Sequence, residues 1–148
     1  MRGAVVVIPL DDGFHSYGQM LDDPEYALFD IRTTDKLSPD DVVLRPVAFR
    51  LWVMRYAHST GRWIKIGNAQ INGALQQPVL RYNQDALKPK DIRLTYDGCN
   101  GPLGSIDDCE NLECAAVWDP EHVEDRLRDH FAGIPNKWAL SLRPTDAI

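Results

Sequence analysis

The sequence predicts an α+β fold, mostly antiparallel β, built as an SH3-like barrel or a strongly bent sheet, with one C-terminal α-helix packed on it. Three observations predict it. The chain opens as strand, tight turn, strand, turn, strand. A run near residue 50 is apolar on both of its β faces. Near the C-terminus a capped amphipathic helix follows the last strand signal.

Ala4 to Pro9 is β-branched and reads as the first strand. Asp11-Asp12-Gly13 is a turn signal, because Gly supplies a positive φ and Asp tolerates one. Phe14 to Leu21 returns as the second strand of a hairpin, and Gly18 within it marks a bulge or a close backbone approach. Asp22-Asp23-Pro24 is the next turn, and Tyr26 to Ile31 the third strand. Ser38-Pro39-Asp40-Asp41 has an N-cap followed by Pro at the first helical position, so a helix of one or two turns is expected there. Pro46 to Ala57 is the strongest strand. Val47, Phe49, Leu51 and Val53 share one face, and Ala48, Arg50, Trp52 and Met54 the other, so it is expected to be central or covered by a helix. His58 to Gly61 turns the chain, and Arg62 to Ile66 is expected to return as its shorter partner. Gly67 to Pro78 is irregular. Val79 to Tyr82, Ile92 to Tyr96 and Glu113 to Trp118 are further strands. Asp97 to Pro102 is a loop, and Ser105 to Asp108 has capping-box spacing.

The helix after Asp119 is the most secure element. Asp119 is an N-cap, Pro120 has no N–H to lose, and Glu121 complements the helix dipole. Val123, Leu127 and Phe131 form one stripe, and Gly133 then Pro135 stop the helix. Asn136 to Ile148 is expected as an extended tail packed on the body.

The chain has 148 residues, 44% hydrophobic and 26% charged. That suits a single domain over residues 1–148 with ordinary globular composition. No run approaches the roughly 18 apolar residues of a membrane span, and the apolar start is too short for a signal peptide. A cytoplasmic location is therefore expected, with Cys99, Cys109 and Cys114 as reduced thiols and a Cys109/Cys114 disulfide as the lesser alternative. Net charge is −6, which argues against direct nucleic-acid binding. Asp97 to Asp129 holds ten acids and two bases, so the stretch alone carries −8 and the rest of the chain +2.

Little in the chain points to catalysis. The four histidines have no zinc-ligand spacing, Cys109-x4-Cys114 is not a C-x2-C pair, and no nucleophile elbow, phosphate loop or dinucleotide fingerprint is present. Asp107, Asp108, Glu110 and Glu113 are sequential, so most would point different ways and not converge on a metal. They read better as a solvated acidic face or as a face that binds a basic partner. No catalytic residue, metal or cofactor is expected. Among the tryptophans, Trp63 and Trp138 are flanked by Arg62, Lys65 and Lys137 and are expected to be exposed.

Four segments carry a resemblance. They are Val7-Ile8-Pro9-Leu10-Asp11-Asp12-Gly13 with Tyr17-Gly18-Gln19; Gly61-Arg62-Trp63-Ile64-Lys65-Ile66-Gly67; Asp108-Cys109-Glu110-Asn111-Leu112-Glu113; and Val117-Trp118-Asp119-Pro120-Glu121-His122-Val123-Glu124-Asp125-Arg126-Leu127. In this order, over nearly the whole length, they resemble the immunity protein 26 family of bacterial polymorphic toxin systems. The resemblance implies a protein that binds and blocks a cognate toxin domain in the cytoplasm. A nuclease toxin with a basic cleft would suit an acidic inhibitor. The contact residues expected on that reading are Asp107, Asp108, Glu110, Glu113, Trp63 and Trp138. Two alternatives stand beside it. One is an SH3-like adaptor that binds peptides through aromatics such as Tyr17, Tyr26 and Trp63. The other is a metal-dependent hydrolase using the acidic cluster.

Overall fold

The computed structural model describes residues 1–146. They form two compact units, residues 1–76 with 117–136 and residues 77–116 with the C-terminal segment from 137.

The first unit is built on a six-stranded sheet. Its strands are β1 (Ala4–Pro9), β2 (His15–Met20), β3 (Glu25–Phe29), β4 (Val47–Val53), β5 (Ile64–Asn68) and β10 (Val117–Trp118), in the spatial order β10-β4-β3-β2-β1-β5. The order is linear with a strand at each edge, so the sheet is open and not a closed SH3-like barrel. The β1–β2 turn is as the sequence dictates. Asp12 and Gly13 have φ of 55° and 78°, the geometry of a two-residue turn whose twist matches the flanking strands.

The side chains alternate between two buried faces. On one face Val5, Tyr17, Ala27 and Phe29 pack with Val42 and Val43 of α1 (Pro39–Val42) and its end, and with Ile71. The Ser38 hydroxyl accepts the Asp41 N–H at 3.2 Å and starts that short helix. On the other face Val6, Gly18, Leu28 and Phe49 lie in register across four strands. Gly18 is there for space: a Cβ would sit 3.2 Å from the Ala27 carbonyl and 3.3 Å from Ile8 Cδ1. The β1–β2 register runs past it without a shift, so of the two readings of this glycine the close approach holds.

Helix α3 (Pro120–Ala132) is tied to this second face. Arg126 lies 4.0 Å above the Phe49 ring, and His130 Nε2 is 3.0 Å from the Asp30 carboxylate. Val123 and Leu127 of its stripe are fully buried. Gly133 ends it at φ 71°, and the Ile134 N–H closes back on the Asp129 carbonyl at 3.0 Å.

Three expectations for this unit are corrected. The 62–66 segment does not pair with β4. It forms β5 against β1, because α2 (Tyr56–Ser59) carries the chain away from β4 first. The strong strand ends at Val53 for the same reason. The run 113–118 is two strands, with β9 (Glu113–Cys114) joining the second unit and β10 running parallel to β4.

The second unit holds a four-stranded sheet in the order β8-β7-β6-β9, from β6 (Arg81–Gln84), β7 (Ile92–Thr95), β8 (Leu103–Gly104) and β9. Its core is Tyr82, Ile92 and Cys109, with Leu94, Ile106, Leu112 and Cys114 packed against them. Residues 137–141 are helical (α4, Lys137–Ser141) where an extended tail was expected. Beyond them the chain does pack as a tail. Gln84 exchanges hydrogen bonds with the Thr145 backbone, donating at 2.8 Å and accepting at 3.0 Å.

Candidate functional site

The acidic stretch folds into both units, and most of its carboxylates are engaged within their own unit. Asp97 accepts the N–H groups of Cys99 and Asn100, both at 2.8 Å, and the Thr95 hydroxyl at 2.9 Å. These bonds favour the charged form and hold its carboxyl far below the ordinary range. Glu121 accepts the Tyr56 hydroxyl at 2.6 Å; that bond lowers the Glu121 carboxyl and raises Tyr56 to about 12. Glu124 binds Arg62, Asp125 pairs with Arg128, and Asp129 accepts from Asn136. The carboxylates of the α3 half are therefore largely engaged inside the first unit, by ion pairs at Glu124 and Asp125 and by neutral donors at Asp129 and Glu121.

The turn between β8 and β9 differs. Ser105 and Asp108 form the reciprocal cap that their spacing predicts. The Ser105 N–H donates to Asp108 Oδ2 at 2.9 Å, and the Asp108 N–H to Ser105 Oγ at 3.3 Å. They start a single 3₁₀ turn, Asp107–Cys109. Asp107, Asp108 and Glu110 are exposed and Glu113 is half-buried. Cys109 is the buried anchor of this turn, and burial pushes its thiol upward, as it does that of Cys114. The three cysteines are free thiols.

Sequence reasoning missed Arg143. Its guanidinium donates to the carbonyls of Cys109 at 2.7 Å and Leu112 at 2.9 Å. It thus fastens the acidic turn to the tail and places one positive charge behind it. No local pattern marks it, since its partners lie more than thirty residues away.

The two tryptophans separate. Trp138 is half-buried with Lys137 Nζ 4.5 Å from its ring. Trp63 is 1% exposed, which corrects the expectation of a surface indole. Its N–H donates to Glu124 Oε2 at 3.0 Å and its ring meets Tyr26 edge-on at 5.3 Å. Arg62 beside it is not a sign of solvent. It reaches over to Glu124. The aromatics of the adaptor alternative are also interior, with Tyr17 1% and Tyr26 2% exposed. Tyr17 spends its hydroxyl on the Asp35 carbonyl at 3.0 Å and the Leu37 N–H at 3.0 Å. Tyr26 is raised to about 12, first by burial and then by Asp23.

Among the described residues no three His, Cys, Asp or Glu side chains are grouped to hold a metal ion. No helix among them is long and apolar enough to cross a membrane.

Comparison with known proteins gives one family. The sequence profile described as Immunity protein 26 matches residues 1–93, which is more than half of the chain. No curated protein and no solved structure matches it. The matched span covers β1 to β6 and reaches into β7.

Proposed function

The chain belongs to the immunity protein 26 family, and from that premise we propose that it binds a cognate polymorphic toxin domain in the bacterial cytoplasm and blocks it by occupancy, with residues 1–148 acting as one immunity domain. Family membership implies toxin neutralisation and carries the reading. The contact we propose is the acidic turn, through Asp107, Asp108, Glu110 and Glu113, with the half-buried Trp138 of the same compact unit. Support comes from the exposure of three of these carboxylates on a turn held rigid by its cap and by Arg143. A preformed acidic turn suits a basic cleft, because it steers encounter and loses little freedom on docking. A nuclease is the toxin class that such a cleft describes.

Co-expression tests the reading. The toxin domain encoded directly upstream should kill when expressed alone and spare cells that also carry this chain. Killing that persists beside well-expressed, folded protein would remove the proposal.

A further inference from the structure

β5 closes one side of the six-stranded sheet, and its outer edge has no partner strand among the described residues. Such an edge presents backbone N–H and C=O groups that another extended chain can take up. The two ends of this edge are occupied. At one end Arg62 is held by Glu124 and Glu121. At the other Gly67 lies against α1, where a Cβ would fall 2.9 Å from Pro39 Cγ. Between them the strand is open: Ile64 is 62% exposed, Ile66 38%, and Lys65 is exposed as well.

The side chains select the occupant. A second copy pairing antiparallel about Lys65 would set two ammonium groups directly opposite each other, which destabilises the pair. The register shift where β5 meets β1 at Val5/Val6 also twists the edge away from flat self-association. A strand from a different protein avoids the like-charge cost if it carries a carboxylate opposite Lys65 and apolar side chains on either side. It would ion-pair with the lysine and cover the two isoleucines. We infer that the β5 edge is a docking strand for an extended apolar–acidic–apolar segment of a protein partner. The inference rests on the proposed function for the identity of that partner, the toxin domain, and adds a second contact remote in sequence from the acidic turn.

The test uses the upstream toxin domain, inactivated, as the probe. Hydrogen exchange is followed in the free chain and in the complex, and affinity is measured for wild type and Lys65→Glu. Lys65 is an exposed side chain, so the variant should keep its near-UV circular dichroism. The expected result is slowed exchange at Ile64 to Ile66 in the complex and affinity about tenfold lower for Lys65→Glu. A complex that forms with unchanged exchange at these amides, or equal affinity of the two proteins, overturns the docking strand and leaves the functional reading standing. A free chain that is dimeric with these amides already protected overturns the choice of occupant. A wild-type chain that does not bind the probe removes both.

Discussion

Arg62 and Glu124 meet through two hydrogen bonds, Nε to Oε2 at 2.7 Å and Nη2 to Oε1 at 2.8 Å, while the Trp63 indole N–H shares Oε2 at 3.0 Å. The Glu124 side chain is 4% exposed and that of Arg62 38%. This is how α3 is fastened to the segment that leads into β5.

Glu124→Ala strands the buried indole N–H and one face of the guanidinium. Breaking a fully buried pair costs about 3–5 kcal/mol. Arg62 is partly solvated, so about 2 kcal/mol is expected here after screening. Glu124→Gln retains one acceptor and should lose less. Urea unfolding measures both; equal losses would mean that the charge, and not the retained acceptor, holds the pair.

Trp63→Phe separates core from interface. It removes the donor to Glu124 and some volume, and should lower stability by about 1–2 kcal/mol. Its affinity for the toxin domain should stay that of wild type in the folded fraction, because Trp63 is interior. Lost affinity with full stability would return this residue to the contact surface.

The sequence made local structure legible and partner choice not. Asp11-Asp12-Gly13, the Ser105/Asp108 box and the Pro120-to-Gly133 helix each state their geometry within a few residues, and each formed. β5 could be recognised as a strand, but only tertiary contact sets whether it pairs with β4 or β1. Trp63 shows the same limit. Its flanking Arg62 and Lys65 suggested solvent, while the acid that buries it lies sixty-one residues on. Residues 137–141 misled through Trp138, Leu140 and Leu142, whose alternation mimics a strand. A five-residue helix is too short to announce itself by periodicity. The acidic stretch is contiguous in sequence, and folding divides it between two units and engages the α3 half in hydrogen bonds and ion pairs.

Asp97 should make the loop after β7 acid-sensitive. Its folded-state carboxyl lies below the unfolded value of about 3.9. The stabilisation is full above that value, shrinks as pH falls below it, and is gone once the pH drops under the depressed folded value. Asp97→Ala should lose it at all pH and abolish that part of the acid dependence. Amide exchange at Cys99 and Asn100 between pH 3 and pH 6, compared with the variant, checks this. A parallel pH dependence in both proteins would remove the assignment.

Gly101 tolerates no side chain where it is. A Cβ would sit 1.8 Å from the Leu94 carbonyl oxygen, and that obstacle is backbone, so β7 or the loop must move. Gly101→Ala should destabilise the 92–104 region by at least the roughly 1–3 kcal/mol of an overpacked site. Gly73→Ala, with nothing within 4 Å, is the matched control. Equal thermal midpoints for the two variants would contradict the geometry.

The acidic turn can be probed without breaking it only if its carboxylates are treated separately. Asp108 caps the 3₁₀ turn, so reversing its charge would also unlock the backbone. Asp107 and Glu110 are exposed, and their side chains make no ion pair or hydrogen bond among the described residues. Asp107→Lys with Glu110→Lys should leave unfolding within about 0.5 kcal/mol of wild type, as surface changes do. On the proposed reading the same double variant should slow association with the toxin domain by about tenfold or more at low ionic strength and flatten its dependence on salt, since rim charges act chiefly on the encounter rate. Asp108→Asn keeps an acceptor for the Ser105 N–H and should cost only its share of the steering. Stopped-flow association across a salt series decides the matter. If the double lysine variant associates as fast as wild type with the same salt slope, the acidic turn is a solvated face, and recognition has to be sought on another surface.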